Sequence, residues 1–212
     1  MGTIVNFATN NTGNSGAGYN EALPTSTGIK VAAGAAVDST DSIIADIYFE
    51  VIATIPSTTN NSNADDGSGF PTLVQQRLVN GYTDAAPPQM VIGGLTEGDS
   101  VDVLLYAYHG FNNPSTVTVT SGTSFSGSFT STGTYAARTE TGTVTVNAAG
   151  TITIDLGSAT GGALNLIQID ITPAALSLTA PDTVTHGVAT TATGNLLSTV
   201  NVTTGMTLEY GT

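Results

Sequence analysis

Few residues in this chain have the type and spacing to do chemistry. The densest set of oxygen donors is Asn60-Asn61-Ser62-Asn63-Ala64-Asp65-Asp66-Gly67-Ser68-Gly69. Calcium takes about six to eight oxygen ligands from loops of this composition, which makes Asn63, Asp65 and Asp66 the candidate metal ligands. Asp38-Ser39-Thr40-Asp41 is a second, smaller set. Neither has the spacing of an EF-hand or of a calcium-binding nonapeptide repeat. The alternative reading is that Asn, Asp, Ser and Gly are there as turn formers. No other cofactor is expected.

The catalytic inventory is thinner. The two histidines, His109 and His186, stand far apart with no paired-histidine or histidine–carboxylate spacing. A base at His109 would need a nucleophile and an orienting group within hydrogen-bond reach, and no G-x-S-x-G elbow is present. Asp46 and Glu50 would share one face of a strand and could be paired as glycosidase carboxylates are, but a solvated sheet face explains them equally. With no Cys there is neither a disulfide framework nor a thiolate metal site. The expectation is a protein that is not an enzyme and has no catalytic residues.

Aromatic residues offer a binding chemistry instead. Tyr106, Tyr108 and Phe111 cluster beside Asn112 and Asn113. Rings that stack on sugar CH groups, with amides fixing hydroxyls, would make Tyr106, Tyr108, Phe111 and Asn112 a carbohydrate-binding set. Against this, Tyr106 and Tyr108 share a strand face and could simply cover the core. Phe125 and Phe129 sit among small residues, either as anchors for a partner or as core plugs beneath a loop.

The background for these groups is a chain of 212 residues with a net charge of −13. Only Lys30, Arg77 and Arg138 are basic, so no phosphate-neutralising stripe can form, and nucleic acid and anionic membranes are excluded as partners. No segment reaches the roughly 18 apolar residues of a membrane span, and the first residues lack the basic and apolar regions of a leader. With 38 Thr and 17 Ser against so few basic residues, a helical bundle is excluded.

The elements that must position any site read as strands. Val101–Tyr108, Thr116–Thr120, Gly142–Val146, Thr151–Leu156 and Leu164–Ile171 alternate with period two, and Ile43–Ile52 is more continuously apolar. Turns fall at Glu97-Gly98-Asp99 and Ala149-Gly150. Thr72–Gly81 carries helix formers with Val74 and Leu78 four apart, which predicts a short helix. Pro173 marks a boundary. Residues 1–172 hold a complete sandwich, and 173–212 form a β-rich extension or a partial Ig-like domain.

Four segments resemble the galactose-binding-like, malectin-like jelly-roll modules of marine bacterial type. They are Val5-Asn6-Phe7 with Gly18-Tyr19-Asn20, Gly94-Leu95-Thr96-Glu97-Gly98-Asp99-Ser100-Val101, Ala149-Gly150-Thr151-Ile152-Thr153-Ile154, and Ala163-Leu164-Asn165-Leu166-Ile167-Gln168-Ile169. Leu178–Tyr210 is similar to the first half of a bacterial Ig-like repeat. The resemblance implies an all-β jelly-roll β-sandwich over 1–172.

A non-enzymatic, acidic, leaderless, Thr/Ser-rich β-protein is similar in context to a bacteriophage virion surface protein. The leading expectation is therefore a capsid-decoration or tail/fibre protein at the virion surface. It would assemble as a homo-oligomer with other virion proteins through β-edge pairing. The alternative is an extracellular carbohydrate-binding module of an adhesin or polysaccharide-degrading system with a glycan partner, and a third reading is a filament subunit. Deleting residues 174–212 is expected to leave the first domain folded by circular dichroism and to abolish any assembly seen by light scattering; unchanged assembly would remove the virion reading's proposed contact.

Overall fold

The structure is a computed structural model. It describes residues 2–8, 18–22, 27–53, 78–82, 87–109, 115–129, 136–158 and 162–175. Contacts divide the chain into Met1–Pro173 and Ala174–Thr212. The described strands all belong to the first of these units.

The strands are β1 (Thr3–Ala8), β2 (Asn20–Glu21), β3 (Gly28–Val31), β4 (Tyr48–Val51), β5 (Val79–Tyr82), β6 (Gln89–Gly93), β7 (Ser100–His109), β8 (Ser115–Thr120), β9 (Ser124–Phe129), β10 (Ala136–Thr145), β11 (Thr151–Ser158), β12 (Gly162–Leu164) and β13 (Leu166–Thr172). A five-stranded sheet runs β10-β7-β13-β1-β2, a six-stranded sheet runs β3-β4-β6-β11-β8-β9, and β12 pairs with β5. All pairings are antiparallel except β1 with β2. The chain passes between the two large sheets at β2–β3, β6–β7, β7–β8, β9–β10 and β10–β11, as in a jelly-roll sandwich. The fold is all-β, and no helix occurs among the described residues.

Alternation produces the core directly. In β11 the pattern Thr-Ile-Thr-Ile-Asp-Leu buries Ile152, Ile154 and Leu156 and turns Thr151, Thr153 and Asp155 outward. Val101, Val103 and Leu105 of β7 and Ile167, Ile169 and Ile171 of β13 face them from the other sheet. Phe7 and Phe49 meet across the sandwich as stacked rings with centroids 5.1 Å apart.

Two turns depend on glycine. Gly94 has φ +81° and a side chain there would overlap the Asp46 carbonyl oxygen; Gly150 has φ +67° and lies against the Leu95 carbonyl. The first sets the turn before β7 against the loop before β4, and the second sets it beside the turn before β11.

Three expectations change. The segment Val79–Tyr82 is a strand and not the end of a helix, because it pairs with β12; residues 72–77 lie outside the described set. The expected strand Ile43–Ile52 begins only at Tyr48, since Ile43 makes an isolated bridge to Val37 and residues 45–46 bend. Asp46 is thus not on the strand that carries Glu50. Phe125 and Phe129 lie in strand β9 and not in a loop. Phe129 is buried and Phe125 packs on the same core, its ring filling the space a side chain at Gly142 would need. They are core plugs.

Phe49→Ala removes a fully buried ring from the middle of the core. It is expected to lower unfolding stability by about 3–5 kcal/mol in urea titrations; a loss below about 1 kcal/mol would contradict this packing.

Candidate functional site

The alternation that fills the core leaves a second row of side chains on the outer face of the five-stranded sheet. Asp102, Leu104 and Tyr106 of β7 lie there, with Thr141 and Thr143 of β10 and Leu166, Gln168 and Asp170 of β13. Register brings Thr143 opposite Asp102, Asp102 opposite Asp170, Thr141 opposite Leu104, and Leu104 opposite Gln168. Together with Val103 and Gly142 these residues line a groove of about 390 Å³.

The groove is mixed in chemistry. Leu104 supplies apolar floor, and two carboxylates, two threonine hydroxyls and one amide surround it. Thr143 donates its hydroxyl hydrogen to Asp102 Oδ1. Gln168 Nε2 donates to Asn6 Oδ1 at 2.7 Å. Asp170 Oδ1 is buried and has no hydrogen-bond partner among the described residues; the backbone of Gly2 closes over it, and any side chain at Gly2 would collide with it. The two aspartates face each other across a strand pair, an arrangement of like charges that costs stability.

Behind the groove runs a chain of buried amides. Asn6 Nδ2 donates to the Gly18 carbonyl at 2.9 Å. Asn20 Nδ2 donates to the carbonyls of Asn6 (3.1 Å) and Val37 (2.8 Å), while its Oδ1 accepts from Val37 N–H at 2.7 Å. Asn20 therefore pairs with Val37 as a strand backbone would. In the sequence Asn6 and Asn20 stand out only as parts of a resemblance, with nothing to foretell their partners.

The sequence-derived sites fall in several places. Tyr106 is fully buried, in a small cluster with Ala8 and Leu166, packed by Tyr19 and Leu104. Its ring supports the groove floor and is not an open stacking platform. Tyr108 and His109 end β7, and the structure describes their backbone only. Phe111, Asn112, His186 and the calcium candidates Asn63, Asp65 and Asp66 lie outside the described residues.

In the second calcium candidate both aspartates are occupied within the turn. Asp38 Oδ1 accepts from Thr40 N–H (2.8 Å), Thr40 Oγ1 (2.6 Å) and Ser42 N–H (3.0 Å). Asp41, at φ 64°, accepts from Gly18 N–H. This is a turn brace. Among the described residues no three His, Cys, Asp or Glu side chains converge as a metal site. Asp102, Thr143, Gln168 and Asp170 escape a reading of the sequence because their adjacency depends on the pairing of strands distant along the chain.

No protein-family model matches the chain, and no curated protein matches it. Among solved structures it is similar to an exo-β-1,3-galactanase from Phanerochaete chrysosporium with galactose, at 23% identity and TM-score 0.32, covering 42% of this chain and 22% of that one. It is also similar to a CBM4 structure, at 13% identity and TM-score 0.28, covering 80% of this chain and 86% of that one.

The hydrogen bonds from Thr40 and Ser42 hold the Asp38 carboxyl below its ordinary value. A depressed folded-state value stabilises above the unfolded value and stops doing so as pH falls through the folded one. Asp38→Ala is therefore expected to lower the melting temperature slightly at pH 7, and the gap from the parent should close as pH falls below the ordinary aspartate value of about 3.9. A gap that widened on acidification would contradict this.

Proposed function

We propose that the protein is a non-catalytic binding module and that the groove on the outer face of its five-stranded sheet takes a stretch of glycan. The observation that supports this is the lining. Hydroxyl, amide and carboxylate groups converge around the apolar Leu104 on three paired strands, β10, β7 and β13, and sugars present the same mixture of CH faces and hydroxyls. Strand pairing holds these groups rigidly, which lowers the ordering cost of binding.

The engagement of the carboxylates supports a reading of binding without turnover. A retaining glycosidase holds two carboxyl groups about 5–5.5 Å apart on either side of the scissile bond, one as acid and one as nucleophile. Asp102 and Asp170 instead stand side by side on one sheet face. Asp102 is engaged by Thr143, and one oxygen of Asp170 is sealed under Gly2. No histidine is among the described residues that line the groove.

The virion-type structural reading has one observation on its side. On the opposite sheet Ile29 of the edge strand β3 is 61% exposed and Ile52, just beyond β4, is 48% exposed. Exposed apolar side chains at a sheet edge suit assembly. Defined oligomers in light scattering, from a protein that binds no sugar, would favour it.

The groove is tested by affinity electrophoresis against soluble neutral glucans, galactans, mannans and xylans, followed by titration calorimetry. At least one polymer should bind with millimolar or tighter affinity and release no new reducing ends on incubation. Gln168→Ala or Thr141→Ala should weaken binding about fivefold or more, the loss of one or two hydrogen bonds. Thr118→Ala on the far sheet should leave it unchanged. Failure of all four polymers to bind would sink this proposal.

A further inference from the structure

Both charged groups among the described residues of the groove are carboxylates, and from this we infer, resting on the glycan reading above, that it selects glycans by charge. Amino-sugar chains come first, neutral chains second, and uronate or sulfated chains are rejected.

Lone pairs and hydrogens set this preference. Asp102 and Asp170, drawn as carboxylates at neutral pH, can only accept. Thr143 has its single hydroxyl hydrogen on Asp102, so toward a ligand its oxygen is an acceptor. Gln168 has one amide hydrogen committed to Asn6, so its second amide hydrogen and the Thr141 hydroxyl are the donors left among these side chains, against the oxygens of two carboxylates. Val103, Leu104 and Gly142 bring no side-chain donor, and neither Lys nor Arg is among the described residues that line the groove. A ligand meeting this wall must bring hydrogens. Sugar hydroxyls do, and a sugar ammonium brings three together with a positive charge.

Charge acts in the same direction. Asp102 and Asp170 face each other across the β7–β13 pair. A cationic group placed between them relieves their repulsion, whereas a ligand carboxylate would add a third negative charge. Hydrogen bonds with an ionised partner are about twice as strong as neutral ones, so the preference is not marginal. Its origin is local, because exposed charges farther away than about 8 Å are largely screened at physiological salt.

The experiment compares three probes of equal length by calorimetry at neutral or slightly acidic pH. They are a glucosamine oligomer, the same oligomer N-acetylated, and a galacturonate oligomer. The first two share a backbone and differ in charge. The expected order is glucosamine over N-acetylglucosamine over galacturonate, with at least about tenfold between the ends.

Asp102→Asn with Asp170→Asn should collapse the order, the glucosamine oligomer losing its advantage over the N-acetylated one and the galacturonate oligomer its penalty. If that double variant does not fold, by near-ultraviolet circular dichroism, each single substitution should show part of the collapse. Leu104→Trp, which fills the groove without changing charge, should weaken the binding of both glucosamine-based probes.

Glucosamine binding that survives the aspartate substitutions or the Trp block would be diffuse attraction to an acidic surface and would overturn the inference. Equal binding of all three probes, or tightest binding of galacturonate, would overturn it and leave the glycan reading standing. Failure to bind these probes or the neutral polymers would remove both.

Discussion

The structure depends on satisfying two buried amide side chains, Asn6 and Asn20. A buried amide without partners costs on the order of 1–3 kcal/mol, so such groups dictate where their neighbours go. Asn20 draws the Val37 backbone into a strand-like pairing, and Asn6 holds the Gly18 carbonyl. The last donor to Asn6 is Gln168, which lines the groove. The same chain of bonds that fixes the irregular region between β2 and β4 therefore fixes the orientation of one groove side chain. Remote packing and local binding geometry are one network here, and networks of this kind couple more strongly than single pairs.

Strands β7 and β13 carry the division of labour between stability and binding. Their inner rows, Val101-Val103-Leu105 and Ile167-Ile169-Ile171, are buried in the sandwich and supply much of its apolar core. Their outer rows hold Asp102, Leu104, Gln168 and Asp170. The period of a strand is two, so the register that buries one row also sets the other. A slip of one residue would destroy the core, and the like-charged Asp102–Asp170 pair is thereby held in place by hydrophobic burial beneath it. Strain of this sort persists when the surrounding structure over-determines it, and such strain gathers at binding sites.

What was legible in the sequence reflects that geometry. Period-two alternation is local, so β7, β8, β11 and β13 could be read directly, and the turns at Gly98 and Gly150 were marked by the residues their φ angles require. Strand β9 was not legible as a strand because Ser-Phe-Ser-Gly-Ser-Phe consists largely of small turn-forming residues; pairing with β8 makes it one. Val79–Tyr82 could be read as a helix end because a short apolar run has no decisive period, and its partner β12 lies far along the chain. Tyr106 was visible as a strand aromatic, but its burial among Ala8, Leu166 and Tyr19 requires β1 and β13 beside it. The groove was the least legible feature, since every contact across it joins residues from different strands.

The acidity of the chain gains a specific meaning through the groove. A net charge of −13 spread over a surface keeps copies apart and repels polyanions in general, but screening confines each charge to its neighbourhood. Discrimination between ligands must then come from charges that touch them. Asp102 and Asp170 line the groove; Thr143 already gives its hydroxyl hydrogen to Asp102, and Gln168 gives one amide hydrogen to Asn6. Under the glycan reading such a site needs no steric gate, because a ligand lacking donors strips water from these acceptors and returns no hydrogen bond. The carboxylate and amide oxygens that the fold places at this face would then be the means of selection.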